Sequence, residues 1–231
     1  MAETANLTAI VSGNETIGKT RIAVGLAESF AAAGEKVLLL DTDIGFGKLS
    51  EYLKVTPDVD LYDVLYNRAT LNQAIIFSPE GGFDVIIGSG NSKCNIAAIP
   101  ESNFFTLRND ILLLAGNYDR VIIDMPTGES KSNFLLLDAS KQIVLIANDH
   151  APSIRGAYAC MVSMAERKIL ANMAIAVNLA ATEKDGETVY LTLQKAAKAF
   201  IGKTPKWLGN VRKDNLDDIL SLAKELGKWT L

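Results

Sequence analysis

The sequence predicts an α/β fold with a doubly wound, mainly parallel sheet and helices on both of its faces. Short apolar runs alternate along the chain with longer segments of helical periodicity, and the links between them are short. Several of the apolar runs are continuous, which is typical of strands that are covered on both faces. Right-handed crossovers between such strands would carry helices to both faces of the sheet.

Seven apolar runs are predicted as strands, and they are residues 7–11, 36–40, 83–87, 120–123, 142–147, 173–177 and 206–211. Seven longer segments are predicted as helices, and they are residues 19–33, 61–66, 103–115, 130–139, 153–170, 187–200 and 215–226. No internal repeat, low-complexity stretch or long linker interrupts this order, so we expect one domain over residues 1–231.

Composition excludes several classes of protein. The chain has 231 residues, of which 48% are hydrophobic, and this is enough for one sizeable core. A formal net charge of -4 argues against non-specific binding to nucleic acid, which needs a basic face. The two cysteines, Cys94 and Cys160, lie far apart and predict neither a disulfide framework nor a metal site. Without a signal peptide or an apolar run of about 18 residues, a cytoplasmic protein is expected.

The first predicted strand leads into a loop with the pattern G-x-x-x-x-G-K-[ST], whose residues are Gly13, Asn14, Glu15, Thr16, Ile17, Gly18, Lys19 and Thr20. The glycines allow successive backbone N–H groups to point inward at an anion, and the following helix presents its positive dipole end. Lys19 supplies a charge for the outer phosphates and Thr20 a hydroxyl for Mg2+. We expect the nucleotide-binding segment to extend to Arg21.

The alternative is a glycine-containing turn that matches the pattern by chance. A phosphate-binding loop needs an apolar strand before it and an amphipathic helix after it, and the sequence supplies both. We therefore expect a P-loop nucleotide-binding domain that takes ATP or ADP together with Mg2+.

Carboxylates follow two other predicted strands. Asp41 and Asp43 come after the second strand, and Asp124 follows residues 120–123. The carboxyl ends of parallel strands share one edge of the sheet, so Asp124 is expected to hold Mg2+ and one of the other two to face the phosphates. The alternative for all three is a role as turn or cap residues.

The phosphate loop, residues 41–45 and residues 124–128 together resemble the MinD/ParA group of P-loop ATPases, which are P-loop NTPases of the SIMIBI type. The resemblance covers nearly the whole chain. Residues 61–65 and 81–90 are similar to the branch that contains the septum-site protein MinD and the flagellar-number regulators FlhG and FleN. Asn178, at the end of a predicted strand, is similar to the family's adenine-recognising asparagine.

The resemblance implies a dimer switch in which ATP is held between two subunits and hydrolysis separates them. Lys19 and Asp43 would be the catalytic residues, with Asp43 positioning the attacking water. Thr20, Asp41 and Asp124 would form the Mg2+ side of the site. A protein partner would stimulate hydrolysis or bind the dimer, and the regulated process would be flagellar placement or number, division-site selection or partition.

The sequence departs from the family at two points. The signature lysine that crosses the dimer falls on Asn14, and Glu15 brings a negative charge close to the phosphates. Arg212 replaces a proline that flanks adenine in the family. Because a positive charge on the transferring phosphoryl group is worth about a thousandfold in rate, we expect slow or partner-dependent hydrolysis.

The C-terminal segment 216–231 is predicted to be a last core helix. A membrane-binding helix is the alternative, which would place the protein peripherally on the inner membrane face, but the segment has little basic charge for an anionic bilayer. His150, the only histidine, is expected to be a surface or capping residue.

Three functions remain open at this point. The first is an ATPase that acts as a nucleotide-controlled dimer switch in spatial regulation. The second is a degenerate nucleotide-binding scaffold that hydrolyses ATP poorly and acts by protein contact. A P-loop enzyme that acts on a small substrate is the third, and no motif for a substrate pocket or a shared metal cluster supports it.

Overall fold

One eight-stranded sheet organises the computed structural model, which describes residues 7–44, 49–89, 98–128, 130–169, 172–213 and 215–229. The strands are β1 Leu7–Ser12, β2 Val37–Asp41, β3 Ile76–Ser78, β4 Phe83–Ile86, β5 Arg120–Asp124, β6 Gln142–Ala147, β7 Asn172–Ala180 and β8 Lys206–Arg212. Their order across the sheet is β3-β4-β2-β5-β1-β6-β7-β8. Every neighbouring pair is parallel except β3 and β4.

Eight α-helices connect the strands of the described chain: α1 Lys19–Ala32, α2 Leu49–Leu53, α3 Leu61–Leu65, α4 Glu101–Ala115, α5 Lys131–Ala139, α6 Ala151–Glu166, α7 Glu183–Phe200 and α8 Leu216–Gly227. A 3-10 helix, Leu71–Ala74, lies between α3 and β3. The carboxyl ends of the seven parallel strands therefore share one edge of the sheet, and their amino ends share the other.

Helices cover both faces of the sheet, as the sequence predicted. Alternate apolar residues of the central strands belong to two separate cores. Along β1, Leu7 and Val11 belong to the core that includes side chains of α3 to α7, whereas Ile10 belongs to the core that includes side chains of α1 and α8. This double burial explains why the strands are continuous apolar runs without alternation.

The predicted α/β fold is confirmed, and the differences lie in short elements. β3 and α2, which have only three and five residues, were not predicted from the sequence. Helix α7 begins at Glu183, four residues before the prediction, because Thr182 and Asp185 form a reciprocal capping box. Residue 170, where the fifth predicted helix ends, and Cys94 lie outside the described residues.

Helix α8 is part of the core, as expected from its sequence. Its apolar side chains Ile219, Leu222 and Leu226 are buried against α1 and the sheet. Among the described residues, none of the helices is both long and apolar enough to cross a bilayer.

The substitution Leu222→Ala tests this packing of α8. Leu222 is almost fully buried, so its truncation should lower the free energy of unfolding by about 2–5 kcal/mol. Leu216→Ala is the matched control, because Leu216 is 67% exposed at the start of the same helix and should change stability by less than about 0.5 kcal/mol. Equal effects in urea denaturation would show that α8 does not belong to the core.

Candidate functional site

The loop between β1 and α1 is shaped by two close backbone approaches. A Cβ atom on Gly13 would lie 1.9 Å from the backbone carbon of Gly156 in α6. A Cβ atom on Gly18 would lie 2.4 Å from Nδ2 of Asn178, and Gly18 also has a positive φ of 83°. No side chain fits at either position, so both glycines of the sequence pattern are required by contacts with distant parts of the chain.

The side chain of Asn178 is hydrogen-bonded to the backbone of this loop. Its side chain is fully buried at the end of β7, and Nδ2 donates a hydrogen bond to the carbonyl oxygen of Ile17 at 2.7 Å. The Oδ1 atom is buried and has no hydrogen-bond partner among the described residues. Asn178 therefore fixes the loop through its nitrogen and keeps an acceptor for a ligand, and its role in recognising adenine stays a prediction.

Thr16 carries backbone strain within the loop. Its φ of 58° lies in the left-handed region, where a β-branched residue is a genuine outlier. The side chain is exposed, as is that of the neighbouring Glu15. Strain of this kind costs about 1–3 kcal/mol and is found at ligand-binding segments.

The side chain of Lys19 contacts residues on two different segments of the site. Its Nζ donates hydrogen bonds to Oγ of Ser12 at 2.9 Å and to Oγ1 of Thr127 at 2.8 Å. Burial lowers the pKa of Lys19, and the nearby carboxylates of Asp124 and Asp43 oppose that decrease. The lysine thus connects the phosphate loop to the turn after β5, and the sequence had not indicated Ser12 or Thr127 as its partners.

Asp41 and Asp124 form a buried pair of carboxylates. They are direct neighbours in the register of β2 and β5, at the ends of the two strands. Asp124 Oδ2 accepts a hydrogen bond from Oγ1 of Thr20 at 2.6 Å, and Asp41 Oδ1 accepts one from the backbone N–H of Asp43 at 2.8 Å. The other oxygen of each carboxylate is buried without a hydrogen-bond partner among the described residues.

The electrostatics of this pair favour a cation. Burial raises the pKa of Asp124 from 3.8 to about 6, although the hydrogen bond from Thr20 and the charge of Lys19 act in the opposite direction. Burial also raises the pKa of Asp41 well above its ordinary value, and the charge of Asp124 adds to the increase. Two buried carboxylates that are costly to ionise become favourable when a divalent cation neutralises them.

The residues present fit Mg2+. The two unpartnered carboxylate oxygens and the Thr20 hydroxyl are the hard oxygen ligands that Mg2+ takes. In the described part of the chain, no group of three or more His, Cys, Asp or Glu residues could hold a metal by itself. A Mg2+ ion held by few protein groups would complete its shell with phosphate oxygens and water.

Asp43 lies two residues beyond the end of β2 and is partly buried. It lines a cavity of about 290 Å3 together with Thr42, Thr127, Gly128 and Ser130. This cavity adjoins the turn that contacts Lys19, so a group bound near Lys19 is also close to Asp43.

Asn14 is directed towards its own chain. With its amide oriented to satisfy both neighbours, Nδ2 donates to the carbonyl oxygens of Gly13 and Pro152, each at 3.2 Å. Pro152 lies in the first turn of α6, whose N-cap residue is His150. The position at which the resemblance expects a lysine is therefore a neutral contact between the loop and α6. Arg21 is partly exposed on the first turn of α1.

Together the strand, the glycine-restricted loop, the lysine and the carboxylate pair define a P-loop nucleotide-binding protein. The family model AAA_31, described as an AAA domain, matches residues 7–177. The chain belongs to this family and is a MinD/ParA-type P-loop ATPase near the FlhG/FleN branch.

Known relatives agree with this membership. The antiactivator FleN of Pseudomonas aeruginosa is 26% identical over 207 residues, which cover 89% of this chain and 73% of FleN. The flagellum site-determining protein YlxH of Helicobacter pylori is 28% identical over 211 residues, or 90% of this chain and 70% of YlxH. The solved structure of MinD from Pyrococcus horikoshii, complexed with Mg-ADP, superposes with a TM-score of 0.76 at 20% identity and covers 96% of each chain.

The substitution Asp124→Asn tests the energetic state of the carboxylate pair. Because the pKa of Asp124 is raised from 3.8 to about 6 in the folded protein, folding binds a proton between these pH values, and stability falls as pH rises through them. Removing the carboxylate should therefore raise the free energy of unfolding of the ligand-free protein above pH 6, by roughly 1–3 kcal/mol.

Urea denaturation between pH 4 and 8 measures this effect. Asp58→Asn is the matched control, because Asp58 is exposed and its replacement should change stability by less than about 0.5 kcal/mol. If Asp124→Asn is less stable than the wild type at pH 7, the ionised carboxylate is not at an energetic disadvantage in the ligand-free site.

Proposed function

We propose that this chain binds ATP and ADP with Mg2+ and acts as a nucleotide-controlled regulator of the position or number of a cellular structure. The observation that carries the proposal is the convergence of Lys19, Thr20 and the unpartnered oxygens of Asp41 and Asp124 on one loop. The loop amides and Lys19 would bind the phosphates. Thr20, Asp41 and Asp124 would hold Mg2+, whose charge would neutralise the phosphate oxygens.

Nucleotide binding at Lys19 would affect the turn after β5 as well as the phosphate loop. In the ligand-free protein it is hydrogen-bonded to Thr127, in the turn after β5. Phosphate oxygens would compete for the Nζ donors, so the arrival of a nucleotide would loosen that turn. Asp43 lines the same cavity as Thr127, and it would orient the attacking water.

The regulatory role is proposed from the relatives. FleN is named an antiactivator, YlxH is named a flagellum site-determining protein, and similar MinD proteins are named septum site-determining proteins. By analogy, ATP would bring two copies together at the carboxyl edge of the sheet and hydrolysis would release them. A protein partner would stimulate hydrolysis or bind the ATP form, and peripheral contact with the inner membrane face belongs to the same proposal.

A second candidate function is a nucleotide-binding scaffold with little hydrolysis. Asn14 favours it, because its neutral amide is occupied by the Gly13 and Pro152 carbonyls of its own chain. No charge then extends from this position to a second nucleotide. The two candidates share nucleotide binding and differ in turnover.

Lys19→Ala tests nucleotide binding. Loss of the only charged donor that the described loop directs at the phosphates should reduce affinity for Mg-ATP and Mg-ADP at least about tenfold in isothermal titration calorimetry. Lys195→Ala, on the exposed side of α7, is the matched control and should bind as the wild type does. The proposal would fail if neither protein gave a binding heat with Mg-nucleotide, or if both bound equally well.

Asn14→Lys and Asp43→Ala separate the two candidate functions. A lysine at position 14 should raise the ATPase rate by about tenfold or more, because it restores a charge to the phosphates. Asp43→Ala should bind ATP but lose hydrolysis, and should accumulate an ATP-bound dimer in sedimentation velocity. If no form hydrolyses or associates with ATP, the scaffold function is favoured.

A further inference from the structure

A second concave site lies at the opposite edge of the sheet, where the parallel strands begin. It is a recess of about 160 Å3 between the ends of α6 and α7 and the starts of β7 and β8. Its lining includes Met161, Met173, Ile201, Trp229, Lys203 and Lys206. A cavity of about 150 Å3 holds a benzene-sized group, whereas sites for cofactors and drug-sized ligands measure about 300–1,000 Å3. The recess therefore fits one apolar side chain of a protein.

The surroundings of the recess are basic. A neighbouring cavity of about 170 Å3 shares Lys206 and Trp229 with it. Lys198 and Lys203 are exposed nearby on the end of α7 and the turn that follows, and neither forms an ion pair with any described residue. The apolar side chain that enters the recess should consequently be accompanied by a carboxylate.

The chain itself presents such a side chain at the same edge. Leu113 is 77% exposed on the last turn of α4, which ends just before β5 begins. Asp110 lies one helical turn earlier and lines the same shallow groove as Leu113. No described residue forms an ion pair with Asp110. An exposed leucine beside an unpaired carboxylate matches the chemistry that the recess selects.

We propose that a second copy of this chain docks against this edge, with Leu113 of each copy in the recess of the other and Asp110 near Lys203. Because the leucine and the recess belong to the same edge, a two-fold axis allows both contacts to form at once. The edge is about 34 Å wide, from seven spacings of about 4.8 Å, which is wide enough for the roughly 800 Å2 per subunit of a stable interface.

This association is independent of nucleotide. The phosphate loop lies at the carboxyl edge of the sheet, so both nucleotide sites remain open at the outer ends of the pair. Lys19→Ala should leave the edge-to-edge dimer intact, even where it abolishes nucleotide binding. Failure of the proposed function and failure of this inference can thus be told apart in the same protein.

Sedimentation velocity of the nucleotide-free protein tests the inference. The wild type should form a concentration-dependent dimer at low salt and become a monomer at about 1 M NaCl, where the Debye length is about 3 Å. Leu113→Ser and Lys203→Glu should each weaken the dimer at least about tenfold. The double variant Asp110→Lys with Lys203→Glu should restore it, because the charges are exchanged.

Two substitutions at the other edge are the matched controls. Leu216→Ser changes an exposed leucine and Lys184→Glu an exposed lysine, and both should associate as the wild type does. A wild type that stays monomeric at every concentration overturns the inference, as does a dimer that Leu113→Ser and Lys203→Glu leave unchanged. A monomer that binds anionic vesicles or DNA through Lys203 also overturns it, because the surface would then serve lipid or nucleic acid.

Discussion

The adjacent burial of two carboxylates is the constraint on which the site depends. Asp41 and Asp124 end neighbouring parallel strands in the same register, so the sheet itself holds them side by side. Burial raises the pKa of both groups, and each keeps an oxygen without a hydrogen-bond partner among the described residues. The ligand-free arrangement is therefore unfavourable when ionised and becomes favourable when a cation neutralises it. Asp124 also binds Thr20, so the first turn of α1 depends on the same buried group.

The phosphate loop is fixed by elements far away in sequence. Gly13 touches the backbone of Gly156 in α6, and Gly18 touches the side chain of Asn178 at the end of β7. The loop is thereby fixed between a helix and the end of a strand, and Thr16, whose φ is 58°, lies between these two contacts in the sequence. A movement of α6 would shift the backbone of the loop, because Gly13 and Gly156 are in contact without an intervening side chain.

The sequence predicted the sheet, most of its helices and the phosphate loop, because each has a local pattern. Continuous apolar runs marked the buried strands, and the spacing of Gly13, Gly18 and Lys19 marked the loop. It did not predict β3, whose three residues carry no periodicity. Nor did it reveal that Thr127 binds Lys19, because the two residues are 108 positions apart and only the parallel register of β1 and β5 brings them together. Gly156 carried no signal of its own, since its importance lies in the contact with Gly13.

The environment of Asn14 argues against a role for this side chain at a second nucleotide site. Its amide donates to the carbonyl oxygen of Pro152 at the start of α6, and a Cβ atom on Gly156 would collide with the same amide group. The space around Asn14 is consequently filled by its own loop and helix. In the proposed function, phosphate binding would depend on the loop amides and Lys19, and Asn14 would contribute no positive charge. In the proposed function, Lys19 would therefore control the strength of nucleotide binding, whereas position 14 would control the rate of hydrolysis.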